Sequence, residues 1–421
     1  MERNGRRPDM SHTISEKIIA NAAGKKDVSP GEIVYVKPEL AMSYEWPGQD
    51  GLIRDIRIDP CRIALNLDHF YLAANEKEAK VHRNFRQTVA KYKIDQFYDV
   101  GRGGIGVHLM GEKGLVRPGM LVVHADPHIS TLGALGSYSI GIDGDTLSVY
   151  LTGEAWLKVP GTLKCYIEGE FPKGVTSRDL FEWIVRDLGP DGATGMVIEY
   201  SGPTIDAMSI DSREVLCNSV QYLSAETAII NPDEKTIEYV KENTQKHFEV
   251  VKSDGDAEFA QVKSYDVSKL EPQIVVPPDV FYVKDVSDVE GTEIHQALIG
   301  TCAGGRIEDL RLAAGILRGK KVHPRVRLMV TPISQKTYIN ALREGLIETF
   351  VEAGAVVLSS TCAPCYGGIG YLLPEENCIA TGTLNIPGRM GSTDANIYLG
   401  STLTVAASAV EGKISDPRIF I

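Results

Sequence analysis

The stretch Thr361-Cys362-Ala363-Pro364-Cys365 and the earlier segment Ile299-Gly300-Thr301-Cys302 decide how this sequence is interpreted. Glycine or proline accompanies all three cysteines, which is typical of loops that present a thiolate outward. An electron-carrying 4Fe-4S cluster usually takes four cysteines, so a cluster held by three would leave one iron open to water or substrate. The same cysteines with a histidine could instead bind structural zinc, and three unrelated buried thiols are a further alternative.

Short apolar segments at residues 297–299 and 356–358 precede the two cysteine segments and predict strands. Further out, apolar periodicity predicts helices at residues 13–23, 304–318 (after a short loop) and 334–353, and strands at 120–123, 196–198 and 325–330. This alternation predicts an α/β fold with mostly parallel sheets. Sites in such folds gather beyond the carboxyl ends of strands, so both cysteine segments are expected in one crevice.

The length of the chain, 421 residues, allows two to three domains with cores of their own. Two features divide the alternating helix and strand pattern. One is a weak break at Pro160-Gly161, and the other is a charged, proline-containing stretch at residues 252–278, which resembles a linker. We therefore predict a disordered tail at residues 1–10 and α/β domains at 11–161, 162–275 and 276–421, the last of which carries the cysteines.

The composition excludes several classes of protein. A net charge of −12 and a pI of about 5.3 argue against non-specific nucleic-acid binding. The sequence contains no apolar run of the roughly 20 residues that a membrane-spanning helix needs. Seven cysteines, an odd number, without an apolar leader predict a reducing, cytoplasmic location. Outside the trio, Cys61, Cys165, Cys217 and Cys378 are expected to be buried free thiols.

Aspartates and histidines follow several predicted strands. Asp68 and His69 come directly after an apolar run, His108 follows a glycine-rich segment, and Asp126 and His128 follow the strand at residues 120–123. A single histidine is more often structural than catalytic. Several such residues at strand ends indicate a site, because imidazole beside carboxylate supplies acid and base groups near neutral pH.

At this point the sequence resembles the large subunit of the aconitase-type hydro-lyases, the family of 3-isopropylmalate dehydratase and homoaconitase. The resemblance runs from about Ser11 to the C-terminus and implies three α/β/α domains around a central cluster site. The motifs that carry it are Ile299-Gly300-Thr301-Cys302 with Gly305-Arg306-Ile307-Glu308-Asp309-Leu310, the segment 361–365, Gly388-Arg389-Met390-Gly391, Trp156-Leu157-Lys158-Val159-Pro160 and Leu216-Cys217-Asn218.

The resemblance also implies a cofactor and roles for individual residues. Cys302, Cys362 and Cys365 would hold three irons of a 4Fe-4S cluster, whose fourth, labile iron would bind water and substrate. Arg389 would pair with a substrate carboxylate, and Asn218 would lie near the cluster. The acids and histidines that match catalytic positions of the family are Asp68, His69, His108, Asp126 and His128.

The implied chemistry is the elimination of water from a small hydroxy-carboxylic acid, or the reverse hydration. His69 would protonate the departing hydroxyl while a base removes a proton from the neighbouring carbon. In this family the base is a serine on a swivelling domain, and the present chain ends at Ile421 without one. The resemblance therefore implies that the enzyme is active only with a separate small subunit that carries the swivel domain and the serine.

The sequence departs from the family at positions that would touch substrate. Pro127 replaces a serine, Leu384 replaces a carboxylate-binding arginine, and Tyr222 replaces a glutamate. Because such a site is less polar, we expect altered specificity, with citrate and isopropylmalate as poor substrates. The alternatives are a cluster-binding homologue without catalysis and a zinc-binding structural protein.

Overall fold

The computed structural model describes residues 11–45 and 55–421, so the predicted tail at residues 1–10 lies outside the described residues. The first helix, α1 (Ile14–Ala22), begins with a capping box. The Thr13 side chain accepts a hydrogen bond from the Glu16 backbone, and the Glu16 carboxylate accepts one from the Thr13 backbone. Gly24, at a φ of 64°, follows the end of the helix. Both features are end signals that the sequence itself carries, and they bound the helix predicted at residues 13–23.

The first part of the chain forms a parallel sheet and a small antiparallel pair of strands. Its elements are β1 (Ile33–Val36), β2 (Leu40–Tyr44), β3 (Ile63–Asn66), α2 (Glu76–Tyr92), β4 (Gln96–Tyr98), α3 (Gly106–Glu112), β5 (Leu121–His124), β6 (Tyr138–Gly141), α4 (Thr146–Thr152) and β7 (Ala155–Lys158). Short 3-10 helices lie at Pro60–Arg62, Pro127–Leu135 and Asp143–Asp145. Among the described residues, the parallel sheet has the order β4-β3-β2-β5-β6, and β1 pairs with β7.

The middle part of the chain forms a second parallel sheet of order β10-β9-β8-β11. Its elements are β8 (Gly161–Glu168), α5 (Ser177–Leu188), β9 (Met196–Ser201), α6 (Pro203–Ala207), α7 (Ile210–Asn218), β10 (Thr227–Ile230), α8 (Glu234–Asn243) and β11 (Gln261–Asp266). A 3-10 helix at Val220–Leu223 follows α7, and another at Val267–Lys269 follows β11.

The last part forms a third sheet of order β13-β12-β18-β17-β14-β15-β16, which is parallel except for the pairs of β12. Its elements are β12 (Gln273–Val275), β13 (Val283–Asp285), β14 (Gln296–Gly300), α9 (Thr301–Gly304), α10 (Ile307–Leu317), β15 (Arg327–Thr331), α11 (Gln335–Arg343), α12 (Leu346–Ala353), β16 (Val356–Val357), β17 (Asn377–Ala380), β18 (Asn396–Gly400) and α13 (Thr402–Glu411). Short 3-10 helices lie at Val286–Asp288, Ala363–Tyr366 and Pro417–Phe420. The predicted α/β fold with mostly parallel sheets is confirmed.

The third sheet is buried on both faces, which holds the loop after β14 in place. Ala297 and Ile299 pack in one core with apolar side chains of α10, α12 and α13. Leu298, between them, belongs to the core that the second sheet shares. Since successive side chains of a strand point to opposite faces, this strand needs the continuous apolar sequence that predicted it.

Two predicted elements are wrong. Residues 252–278 are not a linker, because they contain β11 at the edge of the second sheet and β12 of the third. In β11 only Tyr265 is buried, and an edge strand with polar side chains has the composition of a linker. The helix predicted at residues 334–353 is two helices, since Gly345 at a φ of 72° adopts a left-handed conformation that ends α11.

The predicted burial of the remaining cysteines holds with one exception. Cys165, Cys217 and Cys378 are buried, whereas Cys61 is exposed in the surface turn Pro60–Arg62 before β3. Within residues 11–45 and 55–421, no helix is long and apolar enough to cross a membrane.

A buried ionic triad joins the three parts of the chain. Glu214 of α7 accepts hydrogen bonds at its Oε2 from His108 Nδ1 of α3 and from Arg306 Nε before α10, both at 2.7 Å. Burial is the largest single effect on the pKa of His108 and lowers it, but the Glu214 and Glu112 carboxylates together outweigh burial and raise the pKa to about 10. Burial in turn raises the pKa of Glu214, and the His108 and Arg306 charges lower it below its usual value. The triad therefore stays ionised at neutral pH.

Replacing Glu214 by glutamine leaves the buried Arg306 guanidinium without an ion-pair partner among the described residues, whereas His108 keeps Glu112, whose Oε2 lies 3.7 Å from its Nε2. We expect the free energy of unfolding at pH 7 to fall by about 3 kcal/mol or more, because breaking a buried pair strands a charge. The lowered pKa of Glu214 stabilises the fold above its unfolded value of 4.5, and this contribution is lost as the pH falls. The raised pKa of His108 stabilises the fold below its unfolded value, and this contribution is lost as the pH rises through about 10.

The measurement is denaturant unfolding of wild type and Glu214→Gln across this range of pH. The difference between them should be largest between pH 4.5 and 6.5, where both contributions are complete, and shrink towards both ends. The matched control is Glu293→Gln, because Glu293 pairs with Arg325 at 3.0 Å and both side chains are more than half exposed. The control should unfold like wild type, and an equal loss in both variants would contradict the role of the triad.

Candidate functional site

The predicted site residues meet around one cavity of about 200 Å³. The carboxyl ends of β2, β3 and β5 contribute one side, and the loops after β14 and β16 contribute the cysteines. Because these strands belong to two different sheets, the cavity lies where the first and third parts of the chain meet. This is the strand-end crevice that the sequence predicts.

The three cysteines converge on this cavity. Cys302, Cys362 and Cys365 are buried, and none of them forms a disulfide. The Cys362 thiol forms hydrogen bonds with the sulfurs of both Cys302 and Cys365. The spacing in sequence therefore becomes a single group of sulfur atoms that face a shared space.

A strained turn presents Cys302. Gly300 has a φ of 139°, and a side chain there would meet the Thr331 carbonyl oxygen at 2.2 Å. Thr301 then has a φ of 61°, a left-handed conformation that costs a β-branched residue about 1–2 kcal/mol. Strain of this kind persists where the surrounding structure enforces it, most often at functional sites.

Donors favour thiolates at Cys302 and Cys365, whereas the hydrogen bonds with these two sulfurs, together with burial, raise the pKa of the Cys362 thiol. The hydrogen bond from Cys362 lowers the pKa of the Cys365 thiol, and the Arg389 guanidinium, whose Nη2 lies 3.5 Å from Cys365 Sγ, adds to this effect. The hydrogen bond from Cys362 and the positive charge of His128 lower the pKa of Cys302 to about 7. Thiolates are the form in which cysteine binds metal.

The two Asp–His pairs line the same cavity. His69 Nδ1 lies 2.7 Å from Asp68 Oδ1, and His128 Nδ1 lies 2.8 Å from Asp126 Oδ1. The second oxygen of Asp68 accepts a hydrogen bond from the Gly106 backbone at 2.8 Å. Each carboxylate therefore fixes the orientation of its imidazole and binds it through the same nitrogen.

These pairs hold two protonated histidines at neutral pH. Burial lowers the pKa of both imidazoles, but the Asp68 charge raises that of His69 to about 9. Asp126 raises the pKa of His128 to about 9 in the same way. Burial raises the pKa of Asp126, but the neighbouring His128 outweighs burial and, with the other imidazoles, lowers the pKa of this carboxyl below its usual range. Both imidazoles can therefore donate a proton at neutral pH.

Backbone contacts tie the first pair to the cysteine loop. The carbonyl oxygen of Asp68 accepts hydrogen bonds from the Cys362 backbone and from Thr361 Oγ1, each at 2.8 Å. The carbonyl oxygen of His69 accepts one from the Tyr366 hydroxyl at 2.9 Å. The position of the acid group relative to the sulfurs is thus set by main-chain geometry.

Arg389, Leu384 and Pro127 all line the cavity, as predicted for substrate-contacting positions. Among the described residues, Arg389 is the only lysine or arginine of the lining, and its Nε is buried without a hydrogen-bond partner. Tyr222 is buried, and its hydroxyl has no hydrogen-bond partner among the described residues.

Two predicted residues lie beside the cavity and not in its wall. His108 belongs to the ionic triad with Glu214. Asn218 donates to Thr131 Oγ1 at 2.9 Å, and its Oδ1 lies 3.9 Å from Cys302 Sγ. Asn218 thus contacts one of the three cysteines, whereas His108 contacts Glu214 in the ionic triad.

Sequence reasoning missed several residues of the site. Glu214 and Arg306 complete the triad. Arg306 lies in a motif of the family resemblance, which assigned it no role, and no local pattern marks Glu214. Tyr44 and His124 line the cavity, and each is the last residue of a buried strand. The rule that found Asp68 and Asp126, a polar residue at a strand end, could have found these two as well.

The residues present fit an iron–sulfur cluster. Three buried, unlinked thiols share one space. The Arg389 guanidinium and the Thr383 hydroxyl donate to Cys365 Sγ, whereas Asn218 Oδ1 is an acceptor for the Cys302 thiol. Donors to the sulfurs are the usual surroundings of such clusters.

The comparisons with known proteins agree with this geometry. The model of the aconitase family (aconitate hydratase) matches residues 57–285 and 279–412. The 3-isopropylmalate dehydratase large subunit 1 of Methanopyrus kandleri is 40% identical over 420 residues, which is 98% of this chain and 100% of the relative.

Two bacterial relatives are similar over the same length. The 3-isopropylmalate dehydratase large subunit of a Hydrogenobaculum species is 42% identical and covers 97% of this chain and 98% of its own length. The large subunit of the same name from Aquifex aeolicus is also 42% identical, with 97% of each chain covered. The cysteine motifs, the parallel α/β fold and these full-length matches lead to one conclusion: this chain belongs to the aconitase family.

Proposed function

We propose that this chain is the large, cluster-binding subunit of an iron–sulfur hydro-lyase that dehydrates, hydrates or isomerises a small hydroxy-carboxylic acid. The observation that carries the proposal is the cavity in which three cysteine sulfurs face two Asp–His pairs and one arginine. The names of the full-length relatives favour a hydro-lyase over a non-catalytic homologue or a zinc-binding structural protein.

Membership of the family implies an iron–sulfur cluster. We propose that it is a 4Fe-4S cluster held by Cys302, Cys362 and Cys365, with one labile iron that no cysteine binds. When bound, the cluster supplies a Lewis acid that polarises the substrate's C–OH bond. The thiolate-stabilising hydrogen bonds at Cys302 and Cys365 support this assignment.

The proton for the departing hydroxyl comes from His69. Its imidazole is protonated at neutral pH because Asp68 holds it, and it faces the cavity. As the C–O bond breaks, His69 transfers its proton to the leaving oxygen, which departs as water. Asp126 and His128 form a second pair of the same kind, which can bind the same oxygen or a carboxylate.

Arg389 is positioned to bind a substrate carboxylate. Its Nη2 contacts Cys365, and its buried Nε has no partner among the described residues, so the guanidinium places a carboxylate close to the sulfurs. The base that removes the carbon-bound proton is, by the resemblance, a serine of a separate small subunit with a swivelling domain. The relatives' description as large subunits supports a small-subunit partner.

The cavity favours a substrate with an apolar substituent. Leu384, Pro127, Ile105 and Val107 contribute apolar surface to its lining. A second carboxylate at this surface would lose its hydration without gaining a cation. We therefore propose an isopropylmalate-like or homoaconitate-like hydroxy acid, with specificity altered at the position that Leu384 faces, against substrates that place an additional carboxylate there.

The organisation of the chain supports three domains close to the proposed ranges 11–161, 162–275 and 276–421, because the three sheets follow one another along the chain. The sheets differ from these ranges at two strands, since β8 already begins at Gly161 and β12 (Gln273–Val275) belongs to the third sheet. The proposed cytoplasmic location is supported by seven cysteines that form no disulfide in the structure, since free thiols suit a reducing compartment.

The test of the function is turnover by the anaerobically purified complex of this chain with its small subunit. A panel of 2- and 3-hydroxydicarboxylic acids that includes 3-isopropylmalate is followed by the absorbance of the unsaturated product. Substrate-dependent product formation is expected with both subunits and not with either one alone. Absence of turnover across the panel, with the cluster intact, would exclude the hydro-lyase.

One prediction concerns the iron–sulfur cluster. Cys302→Ser should lose most of the iron and all activity, because an alcohol is a poor ligand for iron in such clusters. Iron and sulfide analysis and electron paramagnetic resonance measure this. Mildly oxidised wild type should show a three-iron signal that disappears on adding ferrous iron and reductant. Cys61→Ser, at the exposed cysteine, is the control and should keep its iron; equal iron in both variants would refute the assignment.

Another prediction concerns substrate specificity. Leu384→Arg adds a cation to the apolar lining and should raise kcat/KM about 10-fold or more for substrates with an additional carboxylate, since a charge-assisted hydrogen bond is gained. The measurement is the ratio of kcat/KM for two hydroxy acids that differ only by a carboxylate and an alkyl group. Leu384→Met, which keeps size and neutrality, is the control and should leave this ratio unchanged. An unchanged ratio in Leu384→Arg would show that this position does not contact substrate.

A further inference from the structure

His124 is a third cavity-lining histidine, and the mechanism above does not use it. It is the last residue of β5 and is 2% exposed. Its Nδ1 lies 2.5 Å from the backbone nitrogen of Asp126. Because a backbone N–H can only donate, Nδ1 must be the acceptor, and in a neutral ring the proton then resides on Nε2.

The other ring nitrogen has nothing to bond. His124 Nε2 is buried and has no hydrogen-bond partner among the described residues. Native structures rarely leave a buried donor unpaired, so such a group in a cavity wall points to a ligand atom. The ring is also held in place, because it stacks on Tyr44 with centroids 5.5 Å apart and planes 21° apart.

The surroundings keep this imidazole uncharged. Burial is the largest effect and lowers the pKa of His124 to about 4, although Asp126 and Asp68 act in the opposite direction. The segment that follows cannot supply the donor, because Pro127 has no backbone N–H. The wall near Asp126 therefore offers one neutral donor of fixed direction.

We propose that His124 is a further substrate-binding residue, whose neutral Nε2–H donates a hydrogen bond to an oxygen of the hydroxy acid in this cavity. The inference rests on the proposed hydro-lyase function. It assigns the substrate two recognition points of different kinds, a carboxylate at the Arg389 guanidinium and a second oxygen at an uncharged donor. The second oxygen can therefore belong to a neutral group such as a hydroxyl as well as to a carboxylate.

Two substitutions separate this role from a structural one. His124→Asn keeps an acceptor for the Asp126 backbone and removes the Nε2 donor. His124→Gln keeps a donor near the Nε2 position and removes the acceptor. With the complete, cluster-loaded complex and the best wild-type substrate of the panel, we expect Asn to raise KM about 10-fold with little change in kcat, and Gln to stay within about threefold of wild type.

The opposite order, in which Asn behaves like wild type and Gln loses activity, would overturn the proposal and leave a structural role. Equal losses in both variants, with matching losses of thermal stability, would overturn it too. The matched control is His82→Asn, because His82 is also buried with an unpartnered Nε2 but does not line the cavity. It should leave KM unchanged.

A second readout needs no turnover. Histidine-selective nitrogen-15 labelling, with His124 assigned through the variants, should show a neutral ring with the proton on Nε2 at pH 7. The Nε2 signal should shift on addition of the hydroxydicarboxylic acid of the panel that calorimetry shows to bind the complex most tightly. A charged ring, the other tautomer or an unchanged signal would overturn the inference. If the wild-type complex turns over and Asn equals it, only this inference fails; if the wild-type complex turns over no hydroxy acid, the proposed function fails as well.

Discussion

The structure depends on one buried carboxylate. Glu214 of α7 binds His108 of α3 and Arg306 before α10, so a single oxygen joins parts of the chain that belong to three different sheets. Taking these charges out of water is costly, and only their mutual contact compensates for it. The three segments are therefore expected to pack together only when the triad is complete, because an incomplete triad would bury an unpaired charge. The same packing therefore fixes the walls of the cavity between those segments.

The same junction explains why acid groups and sulfurs share one space. The loop that carries Cys362 donates to the main-chain oxygen of Asp68, and Tyr366 donates to that of His69. Main-chain contacts tolerate little displacement, so the His69 imidazole and the cysteine sulfurs keep a constant separation. A site built in this way is organised before substrate binds, which lowers the cost of reaching the reactive arrangement.

Three histidines of the cavity show how the environment divides one side-chain type into two roles. His69 and His128 bond carboxylates through Nδ1, and their pKa values rise to about 9. His124 bonds a backbone N–H through the same atom, and burial lowers its pKa to about 4. The first two are cations that can release protons, whereas the third is a neutral donor of fixed direction. The difference lies in the partner of one nitrogen.

The sequence by itself determined the α/β class, the strands that end at the site, the capping box of α1, the three cysteines and the Asp–His pairs, because these depend on local periodicity and on neighbours in the chain. Only the tertiary structure decided the ionic triad, the unpaired His124 Nε2, the place of residues 252–278 in two sheets and the break at Gly345. Glu214 is an ordinary helical glutamate until Arg306 and His108 are packed against it. Charge pairing and burial over such distances depend on contacts between residues far apart in sequence, and local patterns carry no record of them.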